Sequence, residues 1–364
     1  MKILILGFAN LKYMPYAKFY LEQLIDKKNV EVHMLYWNRD LKDESKEYNI
    51  IYHEFRMFQP NSQKKIGKFF KFYEYKKFSE TIIKNEKFDF LIFLHTFPAV
   101  LLYYTAVKLY KNHYIFDYRD ITYEKFLPFR KRIYNLSKDS YLTFVSSPNY
   151  VRFMACQDTK VLLSHNLLED SLSYREVRRK CLRDRNVLRI AFWGFVRGIT
   201  VNLQLIDALG NDKRFELHYY GNLELVEKEI TEFISKKNIN NVYLHGPYEP
   251  KDRYDFASRT DIIHNIYEPD GNMENAIGNK FYDGVIFYLP QLCLEGSLMG
   301  KICKEKRIGL NCNFEEKNLA DKIYDYYYSI EWKDFEKNCD QMLNDIKKEV
   351  QIGREKIQEV CEIK

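Results

Sequence analysis

The chain has 364 residues, 46 % of them hydrophobic and 30 % charged, a balance that suits two folded domains and excludes a fibrous protein or a small disulfide-built one. Lysine and arginine outnumber aspartate and glutamate by 57 to 51, a net charge of +6 that falls short of a dedicated nucleic-acid binder. Aromatic residues reach 16 %, more than two cores need, so many are expected at surfaces or in clefts.

Taken in chain order, short apolar runs at 3–6, 30–36, 50–55, 90–94, 114–116, 142–145 and 161–163 read as strands. Several are unbroken Ile, Leu, Val and Phe, as expected of strands covered on both faces. Helical periodicity occupies 13–27, 69–85, 98–110 and 124–136 between them, which predicts a parallel, doubly wound α/β sheet. The apolar stretch 91–110 is interrupted by His95, Thr96, Pro98 and Lys108, and the apolar start MKILILGFAN is too short for a signal peptide. A cytoplasmic protein is therefore expected.

The polar run EDSLSYREVRRKCLRDRN, residues 169–186, is read as a linker after an N-terminal domain of residues 1–168. A second α/β alternation follows over 187–345. Strands are predicted at 188–193, 215–219, 242–245, 262–267 and 291–293, with helices at 201–209, 223–237, 251–258, 279–288 and 319–329. Residues 331–363 read as helical, and 346–364 are expected to pack back across the domain joint. The seven cysteines lack any C-x-x-C and the eight histidines show no metal-ligand spacing, so reduced thiols and a metal-free protein are expected.

Neither half holds G-x-G-x-x-G or a P-loop, which weakens oxidoreductase and nucleotidase readings. In WGFVRG, a strand end leads to Gly194, then to Arg197 at a helix start, a pattern that suits a diphosphate. An ordinary turn with a solvated arginine is the alternative. In NAIGNKFYDGVIFYLPQL, Gly278 and Asn279 open a helix with Lys280 and Asp283 in its first turns. A lysine and backbone amides can hold phosphates there, and a carboxylate one turn on can accept from a ribose diol. The alternative is that Asp283 complements the helix dipole and Lys280 is solvated.

These motifs resemble the GT-B-fold glycosyltransferases of the large group that includes the family-4 retaining enzymes. That group carries a segment "nKl-x-E-y-x-x-x-G-x-P-v" under the donor nucleotide, matched by Asn279, Lys280, Phe281, Tyr282 and Asp283 and then Leu289, Pro290 and Gln291. Supporting matches, in order, are IFDYRD (115–120), VSSP (145–148), SHN (164–166), GFVR (194–197), YYGN (219–222), HGPY (245–248) and RTDIIHN (259–265). The resemblance implies two Rossmann-like domains facing across a cleft, and a nucleoside diphosphate sugar, UDP in preference to GDP, as donor. Gly194, Arg197, Tyr248, Asn279, Lys280 and Asp283 are then the donor ligands. The group's paired acids would fall at 275 and 283; here Asn275 departs, and the first acid's role passes to Glu274 if the loop shifts by one residue. Tyr288 stands where the group has glycine.

In the N-terminal half His95 follows one strand, and Asp117, Arg119 and Asp120 follow another. His95 and Asp120 are candidate catalytic groups, and Gly7, Asn10 and Arg119 candidate acceptor contacts. A structural histidine is the alternative for His95. From Lys64 to Phe78 the chain packs six lysines and six aromatics around one glutamate. Such a segment suits the anionic inner face of a membrane, or single-stranded nucleic acid, or a solvated helix with one buried aromatic face; beside a glycosyltransferase the membrane is expected and nucleic acid is not.

The expected function is transfer of a sugar, with retention, from a nucleotide sugar to a glycan or lipid-linked acceptor. Its Lys-, Asn-, Ile-, Tyr- and Phe-rich composition hints at an AT-rich bacterial genome, and capsule or surface-polysaccharide synthesis is the expected setting. A sugar-nucleotide epimerase and an inactive scaffold on the same fold are the alternatives.

Overall fold

The computed structural model describes residues 1–60, 65–155, 160–175 and 187–363. Lys64, Cys156, Cys181 and the 176–186 part of the predicted linker lie outside the described residues. The chain divides into two units, Met1–His165 with Lys347–Lys364, and Asn166–Ile346. Residues 166–175, read in part as linker, group with the second unit, where Arg253 donates to Ser171 Oγ at 2.8 Å.

In the first unit seven parallel strands form one sheet: β1 (Lys2–Leu6), β2 (Glu31–Asn38), β3 (Ile51–Arg56), β4 (Phe90–Leu94), β5 (Tyr114–Tyr118), β6 (Leu142–Val145) and β7 (Val161–Leu163). Their order is β3-β2-β1-β4-β5-β6-β7, with Ile3 opposite Val32 on one side and Phe90 on the other. Strands β4 and β5 are buried throughout, whereas the edge strands β3 and β7 are partly exposed. That is why the central strands read as unbroken apolar runs.

The helices of this unit are α1 (Lys18–Leu24), α2 (Lys65–Glu86), α3 (Thr96–Leu101) and α4 (Leu127–Asp139). The helix expected over 13–27 starts late. Pro15, which has no N–H to donate, opens the second of two short turns, Leu11–Tyr13 and Pro15–Ala17, before α1. Likewise 98–110 divides into α3 and a wider turn at Thr105–Leu109. α2 buries Tyr75, Ser79 and Ile83 at four-residue spacing and leaves Phe69, Phe70 and Tyr73 exposed.

The second unit alternates β8 (Leu188–Trp193), α5 (Ile199–Leu209), β9 (Phe215–Tyr220), α6 (Glu227–Lys236), β10 (Val242–Gly246), α7 (Arg253–Ser258) and β11 (Ile262–His264). It continues with α8 (Asn279–Ile286), β12 (Gln291–Leu294), α9 (Leu298–Glu305), β13 (Gly309–Cys312) and α10 (Leu319–Tyr328). The parallel order is β10-β9-β8-β11-β12-β13. α9 and β13 were not anticipated. Ser297 caps α9 by accepting from the Gly300 N–H at 3.0 Å, and four-residue β13 pairs with β12 at Gln291–Gly309. The last helix, α11 (Trp332–Glu359), begins in the second unit, and from Lys347 onward it groups with the first. There Ile357 and Val360 join the core around Ile3 and Ile5.

Both sheets reverse their winding direction once, between β1 and β4 and between β8 and β11. Open parallel sheets bind ligands beyond the carboxyl ends of their strands at such points. Among the described residues no helix is long and apolar enough to cross a membrane.

Candidate functional site

In the second unit, three loops beyond the carboxyl ends of β8, β9 and β10 lie in direct backbone contact. Gly194 N–H donates to Tyr220 O at 2.9 Å, Val196 N–H to Asn222 O at 2.9 Å, and Gly221 N–H to Gly246 O at 2.7 Å. Gly221 has φ +131°, and a Cβ there would sit 1.8 Å from the Gly194 carbonyl oxygen. Only glycine fits. The loop before α5 is fixed by Asn202, which donates to the carbonyls of Arg197 (3.1 Å) and Gly198 (2.6 Å) and is bonded through Oδ1 to His264 Nε2 at 3.0 Å. His264 Nδ1 accepts from the Ile266 N–H, so the ring is neutral with its proton on Nε2. Burial, reinforced by Lys280, pushes its pKa down to about 3.

α8 carries the two groups that the sequence singled out, and both are buried. Lys280 is 5 % exposed; its Nζ lies 3.5 Å from the centre of the Phe192 ring and donates to Tyr267 Oη at 2.5 Å. Burial pulls its pKa down to about 7, against the pull of Asp283. One turn on, Asp283 Oδ2 accepts from Trp193 Nε1 at 2.8 Å, and Oδ1 faces Arg253 at 3.8 Å. Burial raises its pKa, and Arg253, Trp193 and Lys280 oppose that rise. Arg197 is exposed, its guanidinium 4.9 Å from the Phe195 ring, and Asn279 is exposed at the start of α8.

Tyr248 meets Phe256 edge-on at 5.0 Å, and Tyr220 is sandwiched between His245 at 4.1 Å and Phe256 at 4.2 Å. The sequence did not reveal this aromatic column; the alternation of His218, Tyr220, Tyr243 and His245 on neighbouring strands was the available signal. Glu274 is exposed, its carbonyl accepting from Leu298 N–H, while the half-buried Asn275 donates to Gly271 O at 2.7 Å. Tyr288 has φ 52° and ends α8, with Leu289 N–H reaching Gly284 O at 2.9 Å. This left-handed position is one that glycine adopts most readily. Here Arg175 stacks 3.9 Å over the Tyr288 ring and donates to its hydroxyl, and Tyr288 donates to Asp340 at 2.7 Å.

The first unit brings His95 and Asp120 together: His95 Nε2 lies 3.1 Å from Asp120 Oδ2. His95 holds φ 83° and ψ 160°, a region almost reserved for glycine, and its Nδ1 is buried without a partner. Three expected acceptor contacts are placed differently. Arg119 turns inward, donating to Asp117 and Ser164 at 2.8 Å each and stacking 3.9 Å over Tyr16. Asn10 is 1 % exposed, its amide donating to Asn38, Asp40 and Glu44 while its Oδ1 accepts from Arg39 N–H. At Gly7 a Cβ would come within 2.6 Å of the Met14 Sδ and Cε, so the Met14 side chain packs directly over the Gly7 backbone. All three support loops at the carboxyl edge with inward contacts.

Among the described residues no group of three or more His, Cys, Asp and Glu side chains is placed to hold a metal ion. Cys293, Cys303, Cys312, Cys339 and Cys361 are free thiols.

No protein-family model matches the chain, and no curated protein matches it in sequence. Solved structures do match. A glycosyltransferase from Rickettsia africae ESF-5 superposes over 100 % of both chains with TM-score 0.70 at 15 % identity. Anabaena HepE in complex with UDP covers 100 % of both chains with TM-score 0.67 at 13 % identity. Sucrose-phosphate synthase from Thermosynechococcus elongatus covers 97 % of this chain and 98 % of its own, with TM-score 0.67 at 11 % identity. At these identities the likeness is one of fold: the chain has the GT-B fold, with two Rossmann-like α/β units.

Proposed function

We propose that the protein is a glycosyltransferase that uses a UDP-sugar as donor and transfers the sugar with retention to a glycan or lipid-linked acceptor. The observation that carries this reading is the Lys280–Asp283 pair on α8, held by Trp193 and Tyr267, with Trp193 leading directly into the interlocked Gly194 and Gly221 loops. A helix N-terminus with a lysine favours a diphosphate, and Arg197, in the loop between β8 and α5, adds a second cation. Together they neutralise the leaving diphosphate as the glycosidic bond breaks, without a metal ion. Asp283 retains acceptor capacity beyond the Trp193 bond for the ribose diol. Tyr248 offers a ring face to the base, and Glu274, exposed one residue before Asn275, takes the first acid's role if the loop is shifted by one residue. His95 and Asp120 in the first unit supply an acid–base pair for the acceptor hydroxyl.

The exposed Phe69 (77 %), Phe70 and Tyr73 beside Lys71, Lys76 and Lys77 on α2 favour a peripheral site on the anionic inner membrane face, in keeping with surface-polysaccharide synthesis. The test is to incubate purified protein with UDP- and GDP-sugars, with and without EDTA, and follow nucleotide release and sugar products. UDP release from one UDP-sugar, undiminished by EDTA and with KM raised about tenfold in Asp283→Asn, supports the proposal. Epimerised donor, or tight UDP binding without turnover, would replace it with the epimerase or the scaffold.

A further inference from the structure

Arg39 directly follows β2, at the carboxyl edge of the first sheet. Its Nη2 donates to the Phe8 carbonyl, and the guanidinium carbon lies 4.9 Å from the Phe8 ring centre and 4.7 Å from that of Trp37. Nε is buried with no partner. Among the described residues no carboxylate pairs with this cation: Asp40 is taken by Lys12 and Asn10, Glu44 by Asn10 and the Leu11 N–H, Glu54 by Asn38, and Asp120 by His95. Burial pulls the Arg39 pKa down to about 10, so the group remains charged at neutral pH.

A desolvated cation without a counter-charge is costly, and two ring faces offset only part of that cost. Nor is Arg39 alone. His95 Nδ1, Thr96 Oγ1 and Thr122 Oγ1, just past the ends of β4 and β5 on the same edge, are also buried without partners. Unsatisfied buried polar atoms are few in folded proteins; Asp117 Oδ1, within β5, is another and more lie elsewhere in the chain, so it is Arg39, a charged group with an unpartnered Nε, that points to a ligand. A stack of rings connects the two groups: Phe8 lies 5.4 Å from Phe97 at 19°, and Phe97 lies 5.9 Å from His95 at 4°.

We propose that Arg39 is an oxyanion-binding subsite of the first unit, so that the acceptor carries a phosphate or carboxylate group. The assignment of that anion to an acceptor rests on the transfer reading above. Arginine suits the task because its planar fork can hold two oxygens at once.

The test uses the full-length protein with UDP held saturating, so that phosphate sites in the second unit are filled. Inorganic phosphate and glucuronate are titrated separately at constant ionic strength. The readout is the Arg39 Nε–H resonance, assigned by its loss in Arg39→Lys. One anion is expected to shift that resonance saturably, phosphate marking a phosphorylated acceptor and glucuronate an acidic sugar. Anion affinity measured by calorimetry should fall about tenfold or more in Arg39→Lys and Arg39→Met, whose melting temperatures establish that both fold. Anion affinity unchanged in Arg39→Met, or an Arg39 signal unmoved by both anions, would overturn the proposal. UDP affinity is read separately, without added anion: if UDP fails to bind while Arg39 still responds, the transferase reading falls and the anion subsite stands.

Discussion

Replacing Lys280 with methionine should change both the size and the pH dependence of donor binding. In the donor-free protein Lys280 is desolvated among Phe192, Tyr267 and His264, and its pKa is about 7. A diphosphate at Nζ would stabilise the ammonium and return it toward the ordinary lysine value of ~10.4, so donor binding takes up a proton above pH 7. Across a gap of that size, donor Kd should be about 50-fold weaker at pH 9 than at pH 7. Stability moves the other way. The unfolded lysine keeps its proton up to its ordinary pKa, so between pH 7 and ~10.4 the unfolded chain holds the extra proton, and raising pH stabilises the donor-free protein. Calorimetric titration of UDP from pH 6 to 9, in two buffers of different ionisation enthalpy, measures affinity and proton uptake together. Lys280→Met should bind UDP at least tenfold more weakly at pH 7, with the proton uptake gone. A wild-type affinity that is flat in pH, or a slope that persists in Lys280→Met, would refute the argument.

Three further outcomes follow from the geometry. His95→Gly relieves a backbone conformation that costs about 1–3 kcal/mol, so it should raise the melting temperature relative to His95→Ala, which loses the same side-chain contacts, while slowing transfer and leaving UDP affinity unchanged; a melting temperature lower than that of His95→Ala would show that His95 is unstrained. Gly221→Ala places a methyl 1.8 Å from the Gly194 oxygen and should weaken UDP binding and lower the melting temperature, whereas wild-type behaviour in both would remove the loop stack from the site. Binding to vesicles with anionic lipid should fall at high salt in the wild type and at low salt in a Lys71→Ser, Lys76→Ser, Lys77→Ser variant; Phe69→Ser with Phe70→Ser should remove the part that salt spares. Equal vesicle binding by all variants would return α2 to a solvated helix.

The sheet was legible because burial on both faces leaves its mark on sequence: β1 and β4 fall where unbroken apolar runs place them. β13 left no such mark, since GLNC is short and half polar. The site was legible by position and less so by orientation. A glycine before a helical stretch placed Lys280 and Asp283 in the first turns of α8, and an apolar run placed His95 just after β4. Which way the side chain turns depends on partners distant in sequence. Asn10 is occupied by Asn38, Asp40 and Glu44, and Arg119 by Asp117 and Ser164, and neither set follows from spacing. Arg39 escaped notice for the converse reason, because the absence of a counter-charge is a property of the folded chain alone. Tyr288 looked like a departure from a glycine pattern, and only the Arg175–Asp340 contacts show how a tyrosine is held in a left-handed conformation.

On the proposed function, a UDP-sugar binds the second unit through its glycine loops and the start of α8. Amide hydrogen exchange on the full-length protein, with and without saturating UDP-glucose, tests it most directly. Slower exchange is expected at residues 194–198, 221–222, 245–248 and 278–283, while 7–10 and 95–97 stay unchanged. Protection confined to the first unit, or none at a UDP-glucose concentration of several millimolar, would contradict it.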